Sequence, residues 1–377
     1  MSTGRIPFNR PYVTGDEAGL MADAMARGHL SGDGHYTAEA SDLLREITGA
    51  RHVLLTTSCT HALEMSALLL DIEPGDEVIM PSFTFVSTAN AFVLRGGRPV
   101  FVDIRADTLN IDERLVEQSV TPRTKAIVVV HYAGIACEMD VISEIAQRHG
   151  LVVIEDNAHG LGGQFRGRQL GTIGSLATLS FHETKNVHCG EGGALLVNDS
   201  TFLERAEALR EKGTNRSRYF RGQVDKYTWI DLGSSYLPSE ILTAFLTAQL
   251  RSFDAIQQRR MHVWTRYRSE LSEWAIQRGW PLPSPPPHVQ HPAHLFWLQV
   301  GDLDERQRFL DHLKANGVHA VFHYVPLHSS PKGREYGDVD LPITTSTGER
   351  LVRLPLYPDL CDGDVDRVVA AVRSFQP

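Results

Sequence analysis

The chain has 377 residues, and its composition, 42% hydrophobic and 22% charged, is typical of a soluble globular protein. This length exceeds what one compact core usually supports, so we expect two domains. The formal net charge of −9 argues against a nucleic-acid-binding surface and against binding to an anionic membrane. We therefore predict neither nucleic acid nor membrane among its partners.

The cysteines and the first residues indicate a cytoplasmic protein. The cysteines match neither a disulfide framework nor a zinc-binding pattern, since they stand far apart at Cys59, Cys137, Cys189 and Cys361. Segment 1–7 lacks the apolar core of a signal peptide, and no run approaches the roughly 18 apolar residues of a membrane span. His182, His188 and Cys189 have no recognisable metal-binding spacing, so no metal is predicted.

The first part of the chain predicts an α/β region. Two helices are predicted over 15–27 and 38–48, on either side of the Gly-rich turn 31–34. From residue 51 onward, apolar strands alternate with helices. The predicted strands cover 52–56, 77–81, 98–102, 126–130 and 151–155, and the helices cover 60–70, 85–95, 112–119 and 140–149. Near-continuous apolar strands between helices indicate a parallel sheet covered on both faces.

A different pattern follows residue 200. The sequence predicts a helix over 201–211, an irregular segment over 212–236, and helical structure from 240 past 270. After a Pro-rich run, the predicted elements are strands over 293–300 and 319–325 and helices over 305–316 and 364–375. This α+β pattern indicates a second domain. We expect a large domain over residues 1–250 and a small C-terminal domain over 251–377.

Three segments place polar or reactive side chains at predicted strand ends, where open parallel sheets bind ligands. The first is Thr57-Ser58-Cys59-Thr60-His61-Ala62, at the start of a predicted helix. Hydroxyls and free N–H groups at a helix start suit a phosphate. An ordinary Ser/Thr helix cap explains the same residues.

The second segment ends in Asp156, after the apolar strand 151–155. This position lies at the mouth of the predicted crevice, where burial raises the pKa of a carboxyl group unless a cation or donor keeps it ionised. A ligand-binding carboxylate and a cap of the next helix are both consistent with it.

The third segment carries Lys185, between the apolar runs 176–179 and 194–197. Most isolated loop lysines are simply solvated, but one at a buried strand end suits covalent or ionic work. Together with Asp156 and the helix start at Thr60, Lys185 supplies the groups that pyridoxal phosphate requires. These are an amine for the aldehyde, a carboxylate for the pyridinium nitrogen and a site for the phosphate.

Longer motifs carry a family resemblance. They include IPFNRPYV near the N-terminus, SFHETKN and GEGGALLVND around Lys185, and VFHYVPLH in the predicted small domain, and they span nearly the whole chain. In these motifs the chain resembles the DegT-type sugar aminotransferases, and most nearly the dTDP-4-amino-4,6-dideoxygalactose transaminases. The resemblance implies a fold-type-I pyridoxal-phosphate-dependent α/β fold with a mostly parallel central sheet and a smaller C-terminal α+β domain. It also implies pyridoxal 5′-phosphate as the cofactor.

The resemblance assigns roles to individual residues. Lys185 becomes the lysine that holds the cofactor aldehyde, and Asp156 becomes the partner of the ring nitrogen. The implied cofactor contacts are Thr60, His61, Phe85, His159, Ser180 and Ser235. Many relatives carry, near Ser235, an Asn that reaches the neighbouring subunit, which implies a homodimer with shared active sites. The candidates for the sugar-nucleotide pocket, for which structural hydrogen bonds are an alternative, are Ser31, Asp33, His323, Tyr324 and His328.

The implied reaction moves an amino group from L-glutamate to C4 of a nucleotide-linked 4-keto-6-deoxy sugar. With dTDP-4-keto-6-deoxy-D-glucose, the product is dTDP-4-amino-4,6-dideoxy-D-galactose. A same-fold transaminase acting on a UDP-linked or 3-keto sugar remains an alternative. A same-fold 3-dehydratase is disfavoured, because it has a histidine where this chain has Lys185. A catalytically silent regulatory protein is disfavoured by the complete set of lysine, aspartate and phosphate-binding residues.

Overall fold

Alternating strands and helices make up most of the chain, of which the computed structural model describes residues 4–376. The strands are β1 (His52–Thr56), β2 (Glu77–Pro81), β3 (Arg98–Val102), β4 (Thr124–Val130), β5 (Val152–Asp156), β6 (Gln164–Phe165), β7 (Arg168–Gln169), β8 (Leu176–Ser180), β9 (Gly193–Val197), β10 (Val289–Gln290), β11 (Phe296–Gln299), β12 (Val321–Phe322) and β13 (Leu351–Leu354). The helices are α1 (Glu17–Arg27), α2 (His35–Thr48), α3 (Cys59–Leu69), α4 (Val86–Val93), α5 (Glu113–Val116), α6 (Met139–His149), α7 (Leu203–Arg210), α8 (Arg216–Phe220), α9 (Glu240–Arg251), α10 (Phe253–Arg278), α11 (Leu303–Ala315), α12 (Pro342–Arg350) and α13 (Asp362–Ser374). No helix within residues 4–376 is long and apolar enough to cross a membrane.

The large sheet has, among the described residues, seven strands in the order β1-β9-β8-β5-β4-β2-β3. Strand β9 is antiparallel to both of its neighbours, and the other strand pairs are parallel. Successive side chains of a strand point to opposite faces. Val128 of β4 therefore packs in the same cluster as Leu63 of α3, whereas Val129 packs in the same cluster as Ile142 of α6. Both faces are covered, and the predicted mostly parallel sheet is confirmed.

A second, antiparallel sheet has the order β11-β13-β12 and shares a core with α10, α11 and α13. The α+β character predicted for the C-terminal region is present, but three of its elements differ. The strand predicted over 319–325 is only Val321–Phe322, and neither helix α12 nor β13, the central strand, was predicted. The predicted domain boundary after residue 250 falls next to the junction of α9 and α10, and it stays a prediction.

Two buried hydrogen-bonded contacts hold the second sheet region against the first. Asp103, directly after β3, accepts bonds from the N–H of Ile343 at 3.1 Å and from the N–H and hydroxyl of Thr344 at 2.8 and 2.7 Å. Ser82, directly after β2, has its Oγ 2.8 Å from His328 Nδ1 and accepts the His328 N–H at 2.9 Å. Because both contacts follow strand ends, they place the C-terminal region over the carboxyl edge of the large sheet.

Candidate active site

A cavity of about 640 Å³ lies between the carboxyl ends of the large-sheet strands and the small sheet. Val130, Asp156 and Ser180, at the ends of β4, β5 and β8, line one side of it. Tyr324 and Arg353 line the side contributed by the C-terminal region. The cavity therefore occupies the sheet edge at which the sequence predicts ligand binding.

Lys185 lies in the turn that joins β8 to β9 and lines the cavity. The turn continues the strand pairing, because the N–H of Phe181 donates to the carbonyl of Gly192 at 2.8 Å and that of Glu183 to Gly190 at 2.9 Å. The side chain is half-buried. Burial lowers the pKa of Lys185 to about 8, against the opposing charges of Cys59 and Asp156. A substantial fraction of the amine is therefore unprotonated, and nucleophilic, near neutral pH.

Asp156 is the last residue of β5 and is only 6% exposed. Thr88 donates its hydroxyl to Asp156 Oδ2 at 2.7 Å, and the N–H of Ala158 donates to Oδ1 at 3.3 Å. Burial raises the pKa of Asp156, and the Thr88 hydrogen bond is the largest cause acting in the opposite direction. A cationic ligand group at this carboxylate would relieve the cost of its burial.

The N-terminus of α3 forms another part of the cavity wall, through Ser58, Cys59 and Thr60. Ser58 is the N-cap, as the alternative explanation of this segment predicts, and its Oγ accepts the N–H of His61 at 3.1 Å. The hydroxyls of Thr60 and Ser87 lie 2.8 Å apart and both line the cavity. The first N–H groups of a helix have no partner within it, so hydroxyls and N–H groups coincide here as an anion site requires.

A glycine allows the close approach of β9 to this helix start. A side-chain Cβ at Gly193 would lie 2.3 Å from the carbonyl carbon of Ser58 and 2.4 Å from the nitrogen of Cys59. Only a residue without a side chain fits there. Close packing therefore explains the last glycine of the GEGG motif that follows Lys185.

The planar side chains of the site differ in exposure. Phe85, the residue before α4, lines the cavity but is 57% exposed, and its ring lies 6.4 Å from that of Tyr324. His159 is buried and stacks on His294 at 4.2 Å between ring centroids. Burial holds the pKa of His159 well below its usual value, and Nδ1 accepts the N–H of Ala133 at 3.3 Å. The neutral ring therefore carries its proton on Nε2 and is a donor there.

The structure brings most of the predicted residues to the cavity. Lining it are Lys185, Asp156, Thr60, Phe85, His159, Ser180, His323 and Tyr324. His61 does not line it, since its N–H is bonded to Ser58 and its ring nitrogen Nδ1 lies 2.5 Å from the hydroxyl of Thr57. His328 does not line it either, because this side chain is buried in the contact with Ser82, and its place in the sugar pocket stays a prediction.

Three further predicted residues lie away from the cavity of their own chain. Ser31 is exposed, and Asp33 accepts a hydrogen bond from Arg210 at 2.7 Å. Ser235 is exposed and forms a β-bridge with Glu211. Exposure is compatible with the predicted reach of Ser235 into a second subunit, which stays a prediction.

Several cavity residues escaped the sequence reasoning, among them Thr88, His294, Arg260 and Arg353. A signal existed for Thr88, which stands four residues after Thr84 at a helix start and hydrogen-bonds to it at 2.8 Å. His294 is a polar residue within a predicted apolar strand, and its Nδ1 lies 2.9 Å from Asn186 Oδ1. Arg353 lies on the strand that was not predicted.

The donor set of the cavity fits pyridoxal phosphate. It contains a lysine with a lowered pKa, a buried carboxylate that forms no ion pair among residues 4–376, a helix start with two hydroxyls, and an accessible aromatic ring. On this sheet topology, these groups define a fold-type-I pyridoxal-phosphate-dependent enzyme.

Comparison with known proteins identifies the family. The model of the DegT/DnrJ/EryC1/StrS aminotransferase family matches residues 11–373, and the chain belongs to this family. The aminotransferase TlmJ from Streptoalloteichus hindustanus is 30% identical, with 98% of each chain covered and a TM-score of 0.90. S. venezuelae DesV is 31% identical, with the same coverage and a TM-score of 0.89. The PLP form of the putative sugar aminotransferase Spr1654 from Streptococcus pneumoniae is 26% identical over 98% of each chain, with a TM-score of 0.90.

These findings confirm the resemblance, the fold class and the enzymatic nature predicted from the sequence. The protein is a pyridoxal-phosphate-dependent aminotransferase. Its cofactor is pyridoxal 5′-phosphate.

Proposed function

We propose that the protein transfers the amino group of L-glutamate to C4 of a nucleotide-linked 4-keto-6-deoxy sugar. The proposed acceptor is dTDP-4-keto-6-deoxy-D-glucose, and the product is dTDP-4-amino-4,6-dideoxy-D-galactose. The observation that carries transamination is Lys185, with its lowered pKa, in one cavity with Asp156. The sugar rests on the motif resemblance and on the similarity to a putative sugar aminotransferase, Spr1654 from Streptococcus pneumoniae.

Each residue of the large-sheet side has a proposed task. The Lys185 amine would hold the aldehyde of the cofactor and, as a free amine, would move the proton at the reacting carbon. Asp156 holds positive charge on the ring nitrogen, and bound pyridoxal phosphate supplies the electron sink for the carbanion. Thr60 and Ser180 hold the phosphate at the start of α3. Phe85 covers the ring face, and His159 donates its Nε2–H to the ring oxygen.

We further propose that the enzyme works as a homodimer with shared active sites. Large apolar side chains are exposed between residues 219 and 232, among them Phe220 at 70% and Trp229 at 78%. Apolar side chains gathered in this way are typical of a surface that binds a partner. Ser235 follows this segment directly and would be carried to the neighbouring cofactor site, and Ser31 and Asp33 would line the sugar-nucleotide pocket with His323 and Tyr324.

A cytoplasmic location and two domains complete the proposal. The cysteines at positions 59, 137, 189 and 361 are free, as expected of a reducing compartment. The proposed large domain, residues 1–250, contributes Lys185 and Asp156, and the proposed small domain contributes His323 and Tyr324.

Product analysis tests the proposal. The purified protein is incubated with L-glutamate and, separately, with dTDP- and UDP-linked 4-keto-6-deoxy sugars and a dTDP-linked 3-keto sugar. We expect a 4-amino sugar from the dTDP-4-keto substrate and a lysine-bound cofactor that borohydride fixes to Lys185. An amino sugar formed only from a UDP-linked or 3-keto substrate would replace the proposed acceptor. A protein that forms no amino sugar and retains no cofactor on Lys185 would contradict the proposal as a whole.

A further inference from the structure

Two buried side chains beside Lys185, those of Asn186 and His294, contact each other. Asn186 follows Lys185 in the turn between β8 and β9 and is 6% exposed. His294 precedes β11, lines the cavity and is 7% exposed. The His294 Nδ1 and Asn186 Oδ1 atoms lie 2.9 Å apart. Neither residue has a task in the reaction proposed above.

The hydrogen bonds of Asn186 fix the orientation of its amide. Its Nδ2 donates to the carbonyl of Pro292 at 2.7 Å and to Gln257 Oε1 at 2.9 Å. Since both partners are acceptors, the amide nitrogen faces them, and Oδ1 faces His294. His294 is therefore the donor of the remaining bond, through Nδ1–H. Burial holds the pKa of His294 well below its usual value, so the ring stays neutral and has no other proton.

The segment 292–294, to which Asn186 is bonded, has a strained backbone. Ala293 has a φ of 49°, in the left-handed region that residues other than glycine rarely adopt. Arg260 of α10 donates through Nε to the carbonyl of Ala293 and through Nη2 to that of His294. Strained backbone persists only where surrounding contacts determine it, and it is frequent at active sites. The segment is therefore a rigid support, and Asn186 ties the turn of the reactive lysine to it.

His294 has a second contact within the site. Its ring stacks on that of His159, with 4.2 Å between the centroids and an angle of 26° between the planes. Both rings, Lys185 and Asn186 also line a smaller cavity, whose lining overlaps that of the first. Through these contacts, one buried histidine supports both the turn that carries the reactive amine and the ring proposed to contact the cofactor oxygen.

We propose that Asn186 and His294 are positioning residues, which hold the Lys185 amine within reach of the α-hydrogen of the amino donor. The inference rests on the proposed function, in which Lys185 is the base. In this step the Cα–H bond breaks, the proton goes to the Lys185 nitrogen, and the electron pair remains with the carbon, for which bound pyridoxal phosphate supplies the sink. A lysine has a flexible four-carbon stem, so its amine has a defined place only if the backbone beneath it is fixed. A misplacement of about 1 Å can cost roughly 100-fold in rate.

The test compares the enzyme with its Asn186→Ala, His294→Phe and His294→Gln variants. Phenylalanine keeps a stacked ring but cannot donate to Asn186, whereas glutamine keeps a donor but has no ring. Rapid mixing of holoenzyme with L-glutamate, and with L-glutamate deuterated at Cα, gives the rate of proton removal and its isotope effect. The rate at which apoenzyme captures pyridoxal phosphate measures the placement of the amine without turnover. His288→Phe is the matched control, because His288 also contacts a side chain, Glu138 at 3.2 Å, and an aromatic ring, but lies outside the cavity.

For Asn186→Ala we expect proton removal at saturating glutamate to slow by about 10- to 100-fold, while the half-saturating glutamate concentration changes little. The isotope effect should increase, because a displaced amine makes proton removal the slow step. His294→Phe should have a similar effect, and His294→Gln should recover most of the rate. The double variant Asn186→Ala/His294→Phe should be no slower than Asn186→Ala, since both changes break one contact. Capture of pyridoxal phosphate by the apoenzymes should slow in the same order.

Unchanged proton removal, isotope effect and cofactor capture in folded Asn186→Ala enzyme would overturn the proposal. An equal loss in His288→Phe would overturn it too, because the effect would then be general to the fold. A wild-type holoenzyme that does not react with glutamate would instead refute the proposed function. The capture rates of the apoenzymes would still decide whether Asn186 and His294 place the Lys185 amine.

Discussion

The two sides of the cavity hold their side chains in different ways. On the large-sheet side, Asp156 is buried and receives a hydroxyl and an N–H, and the turn carrying Lys185 is fixed by strand pairing. On the other side, Arg353 has one long hydrogen bond, and Phe85, at the rim between them, is more than half exposed. The comparison indicates that Lys185 and Asp156 are preorganised by contacts within the fold, whereas Arg353 and Phe85 are held by fewer such contacts.

Removing the reactive amine should have the largest effect. In Lys185→Ala, transamination should fall by at least about 10²–10⁴-fold, since the base that moves the proton is lost together with the covalent attachment. Amino-sugar formation measured at saturating glutamate checks this. Lys125→Ala, at an exposed position of β4, should retain full activity. Normal turnover by Lys185→Ala would contradict the proposed role of Lys185 in the chemical step.

Asp156→Ala should have the second-largest effect. Loss of one partner of a buried ion pair costs about 3–5 kcal/mol, so we expect cofactor affinity to fall by roughly 10²–10⁴-fold. Cofactor absorbance after dialysis measures retention. Thr88→Val removes only the hydroxyl that donates to Asp156 and should cause a smaller loss in the same direction. Equal cofactor retention by all three proteins would contradict the role of this carboxylate.

The reactivity of Lys185 should depend on pH, with a midpoint below the ordinary pKa of a lysine. Because its pKa is lowered to about 8, the neutral amine increases as the pH rises through 8. The rate at which apoenzyme captures pyridoxal phosphate should therefore increase by roughly 100-fold between pH 6 and pH 9, with a midpoint near 8. Stopped-flow absorbance checks this, and the same reaction with a free lysine derivative corrects for titration of the cofactor. A midpoint above 10 would show that the fold does not tune this amine.

Phe85→Ala tests a residue at the rim of the cavity. Stacking between rings contributes about 0.5–1.5 kcal/mol beyond burial, so cofactor affinity should fall by about 2- to 10-fold. Fluorescence titration of apoenzyme with cofactor measures the loss. Phe85→Tyr should keep the affinity, and so should Leu94→Ala, which removes another exposed apolar side chain outside the cavity. Unchanged cofactor affinity in Phe85→Ala would contradict the proposal that this side chain covers the ring face of the cofactor.

His328→Ala should have the smallest effect on catalysis. It removes the buried contact with Ser82 and should lower the free energy of unfolding by about 1–3 kcal/mol, while kcat changes less than about twofold. Urea denaturation and steady-state kinetics separate the two quantities. The opposite pattern, normal stability with a high KM for the sugar nucleotide, would support the predicted place of His328 in the substrate pocket.

The sequence predicts the large-sheet side of the cavity better than the side contributed by the C-terminal region. The apolar runs at 52–56, 77–81 and 98–102 coincide with β1, β2 and β3, because a strand buried on both faces leaves a local signal that needs no partner. Strand β13 contains Arg353 and directly follows Arg350, the last residue of α12, so its local pattern resembles an exposed segment. Its place follows from pairing with β12 and with β11, which lies more than fifty residues away. The contact between Ser82 and His328 is likewise set by tertiary structure.

Asp103 has a consequence for how such an enzyme could acquire new substrates. Its buried carboxylate joins the edge of the large sheet to the start of α12, the helix that leads into β13 and Arg353. A substitution in this contact would shift the cavity wall that carries Tyr324 and Arg353 while leaving Lys185 and Asp156 in place. Selectivity could then drift during evolution, or be changed by engineering, at a position that touches neither cofactor nor substrate.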